Sequence, residues 1–147
     1  MAELEKVSKQ EEARITLHEG LRLSPYRCTA GKLTIGIGRN LDDKGITKDE
    51  AYYMLRNDLK ECHKQCCDAF WWYGEMDLVR QSIIKEMCFN MGLGGLQKFK
   101  NMLLACSVKN YREAAKQMLD SRWATQVGKR AQTMAKIMET GIDDTKY

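Results

Sequence analysis

Leu33-Thr34-Ile35-Gly36-Ile37-Gly38 alternates apolar residues with threonine and glycine over six positions. Period two is the side-chain repeat of a β-strand. The run predicts a strand with Leu33, Ile35 and Ile37 on one face and Thr34, Gly36 and Gly38 on the other. Just upstream, Ser24-Pro25-Tyr26-Arg27-Cys28 leads into a Thr29-Ala30-Gly31-Lys32 turn, so the unit reads as a β-hairpin. A face of threonine and glycine leaves backbone uncovered. That suits the close approach of an extended polar ligand and equally a twisted or bulged strand, and the residues alone do not choose.

Outside this hairpin the chain reads as helix. Ser8-Lys9-Gln10-Glu11 has capping-box spacing, which predicts a helix from Lys9 with a partial apolar stripe at Ala13, Ile15 and Leu17. Glu19-Gly20 ends it, the glycine free to take the left-handed closing conformation. Asp42-Asp43-Lys44-Gly45 is a turn, and Thr47-Lys48-Asp49-Glu50 is a second capping box. The helix it opens carries Ala51, Met54, Leu55, Leu59, Cys62, Cys66 and Ala69 on one stripe. Trp71-Trp72-Tyr73-Gly74 interrupts the pattern and reads as core packing at a lobe junction, in preference to a sugar-stacking platform. Asp77 caps the most apolar helix, through Val79, Ile83, Ile84, Met87 and Cys88 to Met91-Gly92. A short helix from Leu96 to Ala105, an Asn110-capped helix with Glu113 at its third position, and a last helix from Lys129 to Thr140 closed by Gly141 complete the chain.

Composition agrees with a helix-rich α+β domain. The chain has 147 residues, one proline and nine methionines, and its 44% hydrophobic and 30% charged content excludes a fibre or a disordered tail. Its net charge of +4 falls short of the basic stripe of a nucleic-acid binder, so no nucleic-acid partner is expected; it suits a polyanion such as a cell wall. Apolar runs are too short for a membrane span, and Met1–Glu12 is charged with no apolar leader, which predicts a cytosolic start and no stable membrane insertion. Six cysteines in a chain of this kind are expected as free thiols, five of them as packing.

Two groups of residues carry candidate chemistry. Glu19 sits at a helix C-terminus, where the dipole disfavours negative charge. Shielding by Leu17, Leu21 and Leu23 would act in the same direction, and keeping a proton is what a general acid needs. Taken alone, a surface glutamate beside a capping glycine is the commoner case. Cys62, His63, Cys66 and Cys67 invite a zinc reading, but four ligands within a turn and a half of helix cannot converge on one ion, and no second ligand pair exists elsewhere. No metal and no cofactor are expected. Both histidines, His18 and His63, are expected to face solvent, and Lys129, Arg130 and Lys136 to form a solvated face.

Glu19, Cys28 and Thr34 are separated by eight and then five residues, within His-Glu-Gly-Leu-Arg-Leu-Ser-Pro-Tyr-Arg-Cys-Thr-Ala-Gly-Lys-Leu-Thr-Ile-Gly-Ile-Gly. This stretch resembles the T-even phage lysozyme family of glycoside hydrolases. Gly45–Ala51, Phe89-Asn90-Met91-Gly92, Tyr111–Ala115 and Ser121-Arg122-Trp123 resemble the family's later helices in the same order, so nearly the whole chain is covered. The resemblance implies a lysozyme-like fold: a small hairpin lobe over roughly 19–60, a helical lobe over roughly 1–18 and 70–147, and an active-site cleft between them. The Gly38–Gly45 stretch is shorter than in the T-even enzymes. The implied reaction is hydrolysis of the β-1,4 bond between N-acetylmuramic acid and N-acetylglucosamine in peptidoglycan.

By matching position, the resemblance makes Glu19 the general acid and puts Cys28 where the family carries an aspartate that activates water, with Thr34 helping to hold that water. Gly38, Phe89 and Asn90 would line the cleft, Phe89 serving equally well as core, and Arg130 would partner Glu19. A mostly neutral thiol is a poorer base and electrostatic stabiliser than a carboxylate unless its surroundings favour thiolate, which leaves three outcomes: water activation with inversion, direct attack with retention, or an inert wall-binding module. The family includes members with cysteine here, and inversion is the favoured outcome. Arg39 stands where T-even enzymes carry histidine, and a permanently charged arginine should remove a titration step there. The resemblance further implies a monomeric endolysin that stays in the host cytoplasm until a separate protein permeabilises the membrane, and then reaches the cell wall.

Overall fold

The computed structural model describes residues 7–147, so the parts of the charged N-terminus and of the expected helical lobe that fall on residues 1–6 lie outside the described residues. The fold is α+β, with seven α-helices and one three-stranded antiparallel sheet among the described residues. The chain divides into two compact units, Met1–Tyr52 and Tyr53–Tyr147.

The first unit opens with helix α1, Lys9–Glu19, whose capping box is formed from both sides: the Glu11 amide donates to Ser8 Oγ and the Ser8 amide to Glu11 Oε2. Gly20 closes α1 at φ 78 and ψ 158, a region open essentially to glycine alone, in place of the left-handed helical cap expected. The partial apolar stripe is not buried: Ile15 and Leu17 are both exposed. Strand β1 (Arg22–Arg27) pairs with β2 (Leu33–Gly36), and β2 pairs with a short third strand β3 (Arg39–Asn40) that extends the expected hairpin. The reason lies in Gly36 and Gly38, at φ 71 and 73. They turn the chain back, so Ile37 leaves the strand and does not share a face with Leu33 and Ile35. Burial also runs opposite to the apolar pattern, since Thr34 is 3% exposed while Leu33 and Ile35 are half-buried.

Helix α2, Lys48–Ala69, starts at the Thr47–Glu50 capping box, with the Thr47 amide donating to Glu50 Oε1 at 2.9 Å and the Glu50 amide to Thr47 Oγ1 at 3.2 Å. Its stripe is buried only at Cys62 and Cys66, where the helix carries the core of the second unit; Ala51 and Met54 are exposed.

That core continues through α3, Leu78–Gln97, in which Ile84 and Met87 are fully buried. The Gln81 amide donates to the Tyr73 and Met76 carbonyls, which ties the short 3-10 turn Tyr73–Glu75 to α3. Gly92 leaves helical geometry at φ 77 and ψ 163, but helical turns resume at once, so Leu96 belongs to this element, which ends at Gln97, and α4 begins at Lys100. Helices α4 (Lys100–Ser107), α5 (Tyr111–Leu119), α6 (Arg122–Val127) and α7 (Lys129–Thr140) follow. Asn110 and Gly141 cap α5 and α7 as expected. Helix α6, started by Ser121, spans six residues, too few to show a helical repeat in the sequence.

Arg80 ties the end of α7 to the start of α3. Its guanidinium donates to the Met138 carbonyl at 2.6 Å and the Glu139 carbonyl at 2.8 Å, pairs with Asp77 at 3.1 Å, and lies 3.9 Å from the Tyr111 ring centroid. Of the aromatic trio, Trp72 and Tyr73 are buried and Trp72 stacks on Phe70, whereas Trp71 is 73% exposed. Cys62, Cys66, Cys88 and Cys106 are packed in the core; Cys67, expected among them, is exposed, because it follows Cys66 by 100° around the helix and faces outward. No described helix is long and apolar enough to cross a membrane.

Candidate active site

Glu19 is the last residue of α1, and its exposed side chain lies against the backbone of Gly38. A β-carbon at position 38 would stand 2.7 Å from Glu19 Oε2 and 3.0 Å from Cδ, closer than such atoms approach. Gly38 is required for its φ of 73, and its missing side chain leaves the room in which the Glu19 carboxylate lies. The leucines expected to shield Glu19 do not enclose it, with Leu17, Leu21 and Leu23 exposed at 81%, 59% and 84%.

Cys28 opens the β1–β2 turn. Its amide donates to the Lys32 carbonyl at 3.0 Å, and its own carbonyl accepts from the Gly31 amide at 2.8 Å. The backbone N–H groups of Lys32 and Ala30 hold the Cys28 thiol below its ordinary range, with partial burial opposing and the Thr34 hydroxyl assisting. This is the environment that favours thiolate. Thr34 Oγ1 donates to the Lys32 carbonyl at 2.9 Å, so Thr34 and Cys28 share the same turn.

The turn is latched by residues that carry no sequence signal of their own. Asp42 Oδ2 accepts from the Leu33 amide at 2.7 Å and pairs with Arg27 at 3.4 Å, and Lys32 pairs with Asp43 at 3.2 Å. Arg39 donates to Glu50 Oε1 at 2.7 Å and to the Gly45 carbonyl at 3.2 Å, which fastens β3 to the capping box of α2. With Arg39 beside it and the Thr47 amide and hydroxyl donating, the Glu50 carboxyl is held down at about 2. The pair thus carries a titration step on the carboxylate, at acid pH.

In the second unit, Asn90 Oδ1 accepts from Trp123 Nε1 at 2.9 Å, and Trp123 meets Phe99 edge-on. Phe89 is 43% exposed and belongs to no core. Arg130 Nε donates to Glu86 Oε2 at 3.1 Å. An open groove of about 860 Å³ between α5 and α7, lined by Arg112, Glu113, Lys116 and Lys136, contains none of the predicted site residues. Among the described residues no group of three or more His, Cys, Asp or Glu side chains is gathered to hold a metal ion.

The model of the phage lysozyme family matches residues 16–137, a span that includes every residue named above as a candidate. The chain belongs to the phage lysozyme family. Within it, the sequence is 30% identical over 152 residues to Probable T4-type lysozyme 1 of Dictyostelium discoideum, covering 84% of this chain and 89% of that protein. Probable T4-type lysozyme 2 of the same organism is 28% identical over 153 residues, with the same coverage. The SAR-endolysin of Haemophilus phage HP1 is 29% identical over 97 residues, 64% of this chain and 52% of that protein.

Proposed function

We propose that this phage lysozyme family member is a muramidase, hydrolysing the β-1,4 bond between N-acetylmuramic acid and N-acetylglucosamine in peptidoglycan. Glu19, as the acid, gives its proton to the leaving glycosidic oxygen. Cys28, as thiolate, takes a proton from the water that attacks the anomeric carbon, and Thr34 helps hold that water, so the product forms with inversion. Gly38, Phe89 and Asn90 contact the sugar chain, and Arg130 supports Glu19. The observation that carries the reading is the approach of Glu19 to Gly38, which fixes a carboxylate at the end of α1, in the same unit as the turn that lowers the proton affinity of Cys28.

The biological role that fits is that of an endolysin acting as a monomer. It waits in the host cytoplasm, needs a separate protein to breach the membrane, and then cuts the wall, its charge of +4 aiding contact with an anionic polymer. A second reading, favoured by the cysteine at position 28, is a module that binds wall without cutting it. Digestion of purified peptidoglycan followed by borohydride reduction and mass spectrometry separates these. Muramidase action yields new ends carrying reduced muramic acid. Reduced glucosamine ends, or binding with no new ends, would overturn the proposal. NMR of the first anomer released reports stereochemistry separately: an initial α product is inversion, and an initial β product refutes only that step.

A further inference from the structure

Cys67, His63 and Tyr73 form a relay in the second unit. Cys67 Sγ is exposed and lies 3.6 Å from His63 Nε2, one helical turn earlier on α2. The other ring nitrogen, Nδ1, lies 2.9 Å from the hydroxyl of Tyr73, which is wholly buried; the two rings meet at 5.3 Å and 61°. The phenol is anchored in the core, so it fixes the imidazole, and the imidazole faces the one thiol on this helix that solvent reaches. A nucleophile, a base within reach and a third group orienting the base is the arrangement that activates a thiol. Neither the lysozyme reaction nor the packing of α2 uses it.

We propose that Cys67 is this protein's site of thiol–disulfide exchange with small-molecule disulfides, with His63 as its base and Tyr73 as the residue that positions the base. The step requires the tautomer in which Nδ1–H donates to the Tyr73 oxygen and Nε2 is free to accept. The Cys67 thiol proton passes to Nε2, and the thiolate sulfur attacks one sulfur of the incoming disulfide. The S–S bond breaks, and the departing thiolate takes the proton back from the imidazolium. The products are one mixed disulfide on Cys67 and one free small thiol, with no other oxidant consumed. The remaining thiols do not compete on these terms. Cys62, Cys66, Cys88 and Cys106 are buried, and burial pushes Cys62 up to about 11 and Cys66 and Cys106 to about 12. Cys28 is half-buried in the first unit, where backbone amides and the Thr34 hydroxyl favour its thiolate, so its reactivity owes nothing to His63.

The test treats the full chain with 5,5′-dithiobis(2-nitrobenzoate) or oxidised glutathione and follows each cysteine by quenched peptide mapping, for wild type and His63→Gln. The expected result is Cys67 modified ahead of the four buried cysteines, at least about tenfold faster than glutathione thiol under the same conditions, and slowed by a comparable factor in His63→Gln. Cys62, Cys66, Cys88 and Cys106 stay protected in the same molecules, which shows that the second unit of the variant is folded. Tyr73→Phe, read in the same way, lowers the Cys67 rate only. If Cys67 reacts no faster than glutathione, or reacts equally fast with and without His63, the proposal fails.

Discussion

Replacing Gly38 with alanine separates two roles that glycine serves at one position. The added Cβ would start 2.7 Å from Glu19 Oε2, and an ordinary contact begins at 3.4 Å, so the carboxylate must retreat by about 0.7 Å. Misplacing a reacting group by about 1 Å costs on the order of 10²-fold in rate, so kcat/KM on peptidoglycan should fall by about that factor. Alanine at φ 73 also costs about 1–2 kcal/mol of backbone strain, a drop in Tm of about 3–8 °C. Gly45→Ala is the matched control. It carries the same kind of strain at φ 67, but its new Cβ meets nothing nearer than the Leu41 carbonyl at 4.0 Å. The assay is release of reducing sugar from purified peptidoglycan, with Tm measured on the same samples. Both variants should lose similar stability, and only Gly38→Ala should lose activity by about two orders of magnitude. Equal activity in the two would show that the approach of Gly38 does not govern the position of Glu19.

Other expected outcomes follow from the same contacts. Glu50 titrates at about 2 in the folded chain against about 4.5 when free, so its contribution is present above about pH 4.5 and is lost as pH falls through 2. Thermal melts across that window should show Glu50→Gln less stable than wild type at pH 6, with the gap closing toward pH 2. Arg80→Ala removes two charge-assisted hydrogen bonds to the end of α7 and the stacking on Tyr111, and urea unfolding should show a loss of about 2–4 kcal/mol, with Arg80→Lys recovering only part. Cys28→Ala should abolish wall hydrolysis and Cys28→Asp should retain or raise it, with the acid limb of the pH–rate profile moved to lower pH as a carboxylate replaces the thiol. Activity in Cys28→Ala equal to wild type would remove Cys28 from the mechanism.

The features that were legible in the sequence are those in which one or two neighbouring residues dictate local geometry. The capping boxes at Ser8 and Thr47 and the caps at Asp77, Asn110 and Gly141 all mark real helix ends, because each satisfies backbone groups within three or four residues of itself. The alternation at 33–38 found β2 but overran it, since period two cannot show that Gly36 and Gly38 take positive φ and reverse the chain. The pattern of burial was misjudged in the same stretch, because Thr34 is enclosed by the turn it bonds to, which hydrophobicity does not report. The Arg39–Glu50 pair, the Asp42 latch and the Arg80 hub join residues 9 to 59 positions apart, and no local rule links them. For the candidate site, the roles proposed for Glu19, Cys28 and Thr34 rest on the family resemblance, while the leucine shielding of Glu19 was inferred from adjacency along the chain and is absent in space.

The most direct test of the central claim is the rate at which Glu19→Gln clears outer-membrane-permeabilised Gram-negative cells, with its Tm measured alongside. Glutamine keeps the size and the contact with Gly38 but has no proton to give to the glycosidic oxygen. A folded Glu19→Gln that leaves turbidity unchanged, beside a wild type that clears, is the predicted result. A folded Glu19→Gln that clears as fast as wild type would contradict the account.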